Sequence, residues 1–287
     1  MTIVVTGASG QLGHLVVQDL LDRGVAAGQI VAAVRTPEKA ADLAARGVQV
    51  READYDRPET LAAAFAGADK VLLISGSEPG RRVPQHRAAV DAAKEAGAGH
   101  LAYTSILGAD TTPLGLASEH KATEELIRAS GIPFTFLRNG WYTENYTAAI
   151  TQAAAAGTLT GSAGDGRVSA AARADYAAAA AAVLAGEGHE GKVYELGGAP
   201  AWTYSELAAE IARAAGTPVT YQNLTVEQHK QALVDAGLPE PYAELLVDSD
   251  QGIAAGLLED QSGELTRLIG HPTISLADAV AASLKTA

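Results

Sequence analysis

The 287-residue chain contains no cysteine. Disulfides, thiolate nucleophiles and cysteine-ligated metal sites are therefore excluded. Its seven histidines (His14, His86, His100, His120, His189, His229 and His271) show no i, i+4 pairing of the kind that holds zinc on a helix. No second nucleotide motif is evident either, so neither a metal nor a flavin is expected. No run of 18 apolar residues occurs, and no membrane insertion is expected. The longest candidate, Tyr176–Leu184, is mostly alanine and reads as a buried or half-buried helix. Met1 leads straight into the strand-like Thr2-Ile3-Val4-Val5-Thr6, without the basic, apolar and cleavage regions of a signal peptide. That points to a cytoplasmic protein. A net charge of −13 leaves no basic stripe to release counterions, so nucleic acid is not an expected partner. A local set of donors for an anionic small molecule is untouched by that argument. What the chain has in quantity is apolar residues, 47% of the total, enough for a sizeable core.

Those residues fall into an alternating rhythm. Strand candidates at Ile3–Thr6, Ile30–Val34, Val48–Arg51, Lys70–Ser75, Leu101–Thr104 and Phe134–Arg138 alternate with helix candidates. The helices are Gln11–Arg23, Pro37–Arg46 (opened by Thr36 as cap), Pro58–Ala66, Pro84–Ala96 and Ser118–Ser130. Parallel neighbours need crossovers, and crossovers are usually helices. The rhythm therefore predicts an α/β fold with a doubly wound parallel sheet of the Rossmann type. The later half is less regular. It reads as a helix Asp175–Leu184 capped by Asp175, a strand Val193–Leu196, a helix Tyr204–Ala214 capped by Thr203 and a strand Val219–Gln222. Helices then fill most of Thr225–Ala287, the last opened by Ser275 with Asp278. The expected organisation is a nucleotide-binding domain over 1–150, completed by segments near 170–198. The mixed region 151–287 is expected to hold a small, mostly helical substrate lobe packed against the sheet and closing a cleft.

The strongest motif is Gly7-Ala8-Ser9-Gly10-Gln11-Leu12-Gly13, set between the first strand and an amphipathic helix. Gly7 allows a tight exit from the strand, Gly10 a close backbone approach to a pyrophosphate, and Gly13 close packing of helix on sheet. Ser9, Gln11 and Leu12 complete the turn whose N–H groups face the phosphates. Strand two ends in Arg35, where an NAD-selective site places a carboxylate for the ribose 2′-hydroxyl. A guanidinium suits a 2′-phosphate, with Lys39 as a second donor, and NADPH is the expected cofactor; an ordinary solvated arginine is the competing reading. After strand three, Asp54 and Tyr55 are placed at the adenine, while capping of the next helix by Asp56 competes for the carboxylates there. After strand four, Ser75 and Gly76 are expected beside the cofactor, and Arg81 and Arg82 are read as rim charges.

A second absence concerns chemistry. No Tyr-x-x-x-Lys pair, in which tyrosine gives a proton to the substrate oxygen, exists anywhere in the chain. On the helix that should carry it, His120 takes the lysine-like position and Leu116 stands four residues before. An acceptor that takes hydride without a strong protein acid fits better, and quinones are such acceptors. His120 is a candidate to hold the nicotinamide ribose or to supply a proton near neutral pH; a structural hydrogen bond is its alternative use. Polar and aromatic residues gather after strands five and six: Tyr103, Thr104 and Ser105, then Asn139, Trp141, Tyr142 and Asn145. Tyr103 joins His120 as a catalytic candidate. Ser105, Asn139, Trp141, Tyr142 and Asn145 are substrate candidates, because flat side chains in a strand-end crevice suit a flat ring. Packing of the lobe on the sheet is the alternative for Trp141 and Tyr142.

These residues carry a resemblance. Gly7–His14, Ile30–Arg35, Pro84–Arg87, Tyr103–Ser105, Pro113–Ala117 with Glu119 and His120, Leu137–Tyr146, Arg173–Ala179, His189–Leu196, Tyr221–Leu224 and Leu268–Thr273 span nearly the whole chain. In them the chain resembles the bacterial type 2 NAD(P)H:quinone oxidoreductases, within the NmrA-like branch of atypical short-chain dehydrogenases. The resemblance implies a Rossmann domain with a small C-terminal domain, NADPH binding and flavin-free reduction of a small-molecule quinone. It also implies two alternatives: reduction of triphenylmethane dyes, and NADP-binding regulation through a partner. Lys121 is a departure that alters the charge beside His120.

Overall fold

The computed structural model describes residues 1–285; Thr286 and Ala287, within the stretch expected to be helical, lie outside the described residues. The elements run β1 (Ile3–Thr6), α1 (Gln11–Asp22), β2 (Ile30–Val34), α2 (Ala41–Ala45), β3 (Gln49–Glu52), α3 (Pro58–Phe65), β4 (Lys70–Leu73), α4 (Arg82–Glu95), β5 (His100–Ile106), α5 (Ala117–Ser130) and β6 (Phe134–Asn139). They continue α6 (Thr147–Ala156), β7 (Thr158–Gly161), α7 (Arg173–Ala185), β8 (Lys192–Leu196), α8 (Tyr204–Ala215), β9 (Thr220–Asn223), α9 (Val226–Asp235), α10 (Glu240–Ala254), α11 (Glu264–Ile269) and α12 (Leu276–Lys285). Among the described residues no helix is long and apolar enough to cross a membrane.

The chain forms two units. The first comprises residues 1–110, 117–139 and 173–195. Seven strands make its sheet in the order β3-β2-β1-β4-β5-β6-β8. The pairs from β3 through to β6 are parallel, with Ile3 opposite Ile30 on one side of β1 and Lys70 on the other. The doubly wound α/β fold is therefore as expected. β1 and β2 are buried throughout, as the apolar runs of a sheet covered on both faces require. Strand order reverses between β1 and β4, and the crevice beyond their carboxyl ends is where such sheets bind ligands. Helix α7 packs on α1, its alanines 177–181 all buried. Arg23 Nη2 donates to Ala178 O at 3.2 Å, and Lys70 Nζ donates to the carbonyls of Leu184 and Gly186 at 2.9 and 2.7 Å.

The second unit comprises residues 111–116, 140–172 and 196–287. Its core gathers Tyr146, Ile150, Leu159, Val168, Trp202, Tyr204, Leu207, Ile211 and Ile253. It is less purely helical than expected: β7 and β9 pair in parallel, Thr158 opposite Thr220. The domain boundary expected near 150 is corrected to Asn139/Gly140. From Gly140 onward the backbone pairs within the second unit, Gly140 N donating to Leu196 O and Tyr142 bridging Ala171. Thr203 and Ser275 accept from Glu206 N and Asp278 N at their helix starts, as expected of caps. Two other expected caps are corrected. Thr36 makes no side-chain cap bond, because a short 3-10 turn, Pro37–Ala40, precedes α2. Asp175 is buried inside the first turn of α7, which starts at Arg173.

Candidate functional site

Beyond the carboxyl ends of β1 and β4, the first unit opens a cleft of about 350 Å³. Its walls are Thr6–Gly13 without Ala8, the segment Arg35, Thr36 and Lys39, the segment Ala53–Tyr55, and Ile74–Glu78 with Gln85. All eleven cofactor-binding residues expected from sequence line this one space. Gly7 takes φ +59°, and a Cβ on Gly13 would lie 2.4 Å from Gly7 O. Glycine at both positions follows from the turn and from the seating of α1 against it. No side chain caps α1 and no carboxylate occupies its first turn. Its terminal N–H groups and dipole are left for an anion.

Thr6 closes β1 with a hydroxyl whose bonding capacity is filled. It donates to Leu72 O at 3.0 Å and accepts from Ile74 N at 2.9 Å and Tyr55 Oη at 2.7 Å. One side chain thus ties the loops after β1, β3 and β4. Tyr55 spends its hydroxyl on Thr6 and on Ile74 O, and burial pushes its pKa upward, so it offers the cleft a ring rather than an acid. Asp54 accepts from Asp56 N at 3.1 Å and from Arg57 Nε at 3.4 Å. The alternative use of Asp56 as a helix cap is not found: Arg57 holds the cap position of α3 without a side-chain bond, and Asp56 accepts from Arg81 and Gln85.

Arg35, 69% exposed, stands at the cleft rim with Nη1 3.4 Å from Glu78 Oε1. Glu78 also accepts from Arg81, which reaches Asp56, so a chain of exposed ion pairs runs along this edge. The reading of Arg82 as a rim charge is corrected. Arg82 is buried, donating to Gly76 O at 2.7 Å and pairing with Glu119 at 3.4 Å.

Behind Ser75 and Gly76 lies a row of rings. His86 sits edge-on between Tyr55 and Tyr103. Tyr103 Oη lies 2.8 Å from His120 Nδ1, so the two catalytic candidates are brought together. Burial, aided by the Arg82 charge, lowers the His120 pKa to about 3. Burial also raises that of Tyr103. Both are therefore neutral at pH 7 in this setting.

The substrate candidates divide between the two units. Ser105 is buried and donates to Glu124 Oε1 at 2.7 Å. Asn139 is buried at the end of β6, opposite Ile106. In the second unit Trp141 and Tyr142 are half-buried, Trp141 against that unit's core, and Asn145 is exposed. Sequence reasoning missed Thr6, Arg82, His86 and Glu78. Thr6 had a local signal, a polar residue ending an apolar strand; the others owe their roles to partners distant in sequence.

Comparison with known proteins agrees with this geometry. The family model for NAD(P)H binding matches residues 7–187. Quinone oxidoreductase 2 of Escherichia coli strain K12 is 54% identical, the alignment covering 97% of each chain. The crystal structure of the NADPH-dependent quinone oxidoreductase of Escherichia coli with NADPH superposes with a TM-score of 0.95 at 53% identity, over 98% of this chain and 99% of that one. The triphenylmethane reductase of Citrobacter sp. with NADP(H) gives 0.94 at 42% identity, over 99% and 100%. With a glycine turn at a switch point, an arginine after β2 and a relative alike over nearly its whole length, the chain belongs to the NAD(P)H-binding family and, within it, to the type 2 NAD(P)H:quinone oxidoreductases.

Proposed function

We propose that this chain reduces quinones with NADPH by direct hydride transfer, without a flavin. One observation carries the reading. An uncapped helix N-terminus and a rim with Arg35, Thr36 and Lys39 line the same cleft, which accommodates a pyrophosphate and a 2′-phosphate on one ligand. Gly7–Gly13 hold the phosphates, Arg35 and Lys39 the 2′-phosphate, and Tyr55 with Asp54 the adenine side. Bound there, NADPH supplies a hydride.

The remaining residues orient and shield. Tyr103 and His120, neutral and bonded to each other, present a fixed polar edge rather than a proton source. The quinone oxygens take their proton from water, which the delocalised product charge permits. Ser105, Asn139, Trp141, Tyr142 and Asn145 are proposed as quinone-binding residues. The likeness to the Citrobacter reductase makes triphenylmethane dyes a second acceptor class.

The test is steady NADPH oxidation with 1,4-benzoquinone above the rate without protein, run beside NADH and a triphenylmethane dye. Turnover is expected with NADPH and quinone. Tight NADPH binding with no turnover on either acceptor would instead favour a cofactor-sensing protein.

A further inference from the structure

The Gly76 peptide is gripped from both sides. Arg82 Nε donates to its carbonyl at 2.7 Å, and its N–H donates to His86 Nε2 at 3.0 Å. His86 is fully buried on α4. Its other nitrogen, Nδ1, lies 2.9 Å from Thr123 Oγ1, and Thr123 donates its own proton to Glu119 O at 2.8 Å. These contacts fix every proton. A backbone N–H can only donate, so Nε2 is bare; the neutral ring then carries its proton on Nδ1 and gives it to Thr123. The chain Gly76 to His86 to Thr123 to Glu119 therefore runs in one direction across α4 and α5. At its head is the loop that forms one wall of the cofactor cleft. A Cβ at Gly76 would stand 3.2 Å from Gln85 Oε1, so the peptide also has little room to shift.

We infer that His86 is a positioning residue for the cofactor: its bare Nε2 holds the Ser75–Gly76 peptide at the height where that wall meets bound NADPH. The inference rests on the NADPH reading above. The two buried ring contacts with Tyr55 and Tyr103 give His86 a packing role as well, at 6.1 and 5.5 Å between centroids. The test must separate packing from positioning.

Two amides do so. In His86→Gln the side-chain oxygen reaches the Nε2 position and still accepts from Gly76. In His86→Asn the amide reaches only the Nδ1 position, keeping Thr123 and losing Gly76. Asn lacks one methylene more than Gln, so it leaves the larger void and is expected to lower the melting temperature more, and affinities are compared well below both transitions. NADPH affinity, measured by calorimetry, is expected to stay within about threefold in His86→Gln and to fall at least about tenfold in His86→Asn, the scale of one lost hydrogen bond. The Gly76 amide proton is expected to move upfield in the Asn variant alone.

Should His86→Asn not fold, Thr123→Val carries the test. There the Nδ1 proton loses its acceptor, the tautomer with its proton on Nε2 gains weight, and the Gly76 contact and NADPH binding are expected to weaken together. Equal affinities in the Gln and Asn variants, or in Thr123→Val and the unsubstituted protein, would overturn the inference while leaving the NADPH reading intact. Failure of the unsubstituted protein to bind NADPH would overturn both.

Discussion

Arg138 and Glu124 form a two-pronged ion pair inside the first unit, with Nε 2.9 Å from Oε1 and Nη2 2.7 Å from Oε2. Both side chains are only 5% exposed. Ser105 adds a third bond to the same carboxylate, and Arg138 Nη1 reaches Asp110 and Glu195 at 2.8 Å each. Removing one partner strands a buried charge. Glu124→Ala is expected to cost about 3–5 kcal/mol, nearer the lower figure because Asp110 and Glu195 remain. Arg138→Met with Glu124→Leu is expected to cost less than Glu124→Ala alone. Urea unfolding midpoints of the single and double variants check this; a double variant as unstable as the sum of its parts would contradict it.

Cofactor preference should follow Arg35. A charge-assisted hydrogen bond is worth roughly 1.5–3 kcal/mol, so Arg35→Ala is expected to lose about 10- to 100-fold in NADPH affinity. NADH affinity should change little. Arg35→Asp should shift preference toward NADH by repelling the 2′-phosphate. Lys39 lines the same cleft, and Arg35→Asp with Lys39→Ala removes its cover. Glu78, 3.4 Å from Arg35, competes with that phosphate, so Glu78→Gln is expected to move the preference the other way, further toward NADPH. The ratio of kcat/KM for NADPH over NADH across these proteins decides. An unchanged ratio in Arg35→Asp would remove Arg35 from the cofactor site.

The phosphate turn was legible because everything it needs is local: three glycines, a strand before and a helix after. Arg35 was legible as a cleft residue by position, because it directly follows β2. His86 and Arg82 were not, because their partner, the Gly76 peptide, lies on a different loop and no local pattern marks it. Arg82 in sequence is one of two adjacent arginines; the fold exposes one and buries the other. β7 escaped notice because four residues, Thr158–Gly161, become a strand only when Thr220–Asn223 returns to pair with them. The burial that keeps the His120 ring neutral is likewise invisible in composition.

Stability should fall with acid. Burial lowers the pKa of His86 and His100 to about 4 and that of His120 to about 3, aided by Arg82 at His86 and His120 and by Lys70 at His100. The unfolded chain binds these protons near pH 6.5, so the stability is whole above that pH and is lost as pH drops toward 4. Each group adds a slope of up to about 1.4 kcal/mol per pH unit within the window. Melting temperatures from pH 8 to 4.5 test it. At pH 5.5, unfolding should take up about three protons through these groups. A flat profile between 6.5 and 5 would show that the rings are not held neutral.

Trp141→Ala is expected to cut quinone kcat/KM by about tenfold, the scale of one lost aromatic contact, and to change NADPH affinity less. Because Trp141 rests on the second unit's core, a lower melting temperature should accompany it. Saturating NADPH kinetics beside NADPH titration separate the two effects. A fall in NADPH affinity with unchanged quinone kinetics would remove Trp141 from the quinone-binding residues.

Helix α7 and strand β8 belong to the first unit although residues 140–172 separate them from β6. The phosphate turn and α1 precede in the sequence the segment that covers them. The buried alanine face that α1 packs against comes from residues 177–181, and the strand beside β6 ends at Leu196. Without them one flank of α1 and the outer edge of β6 have nothing to fold against. The nucleotide grip therefore depends on a surface supplied from far along the sequence, and NADPH is expected to act as a folding ligand only once α7 and β8 are in place.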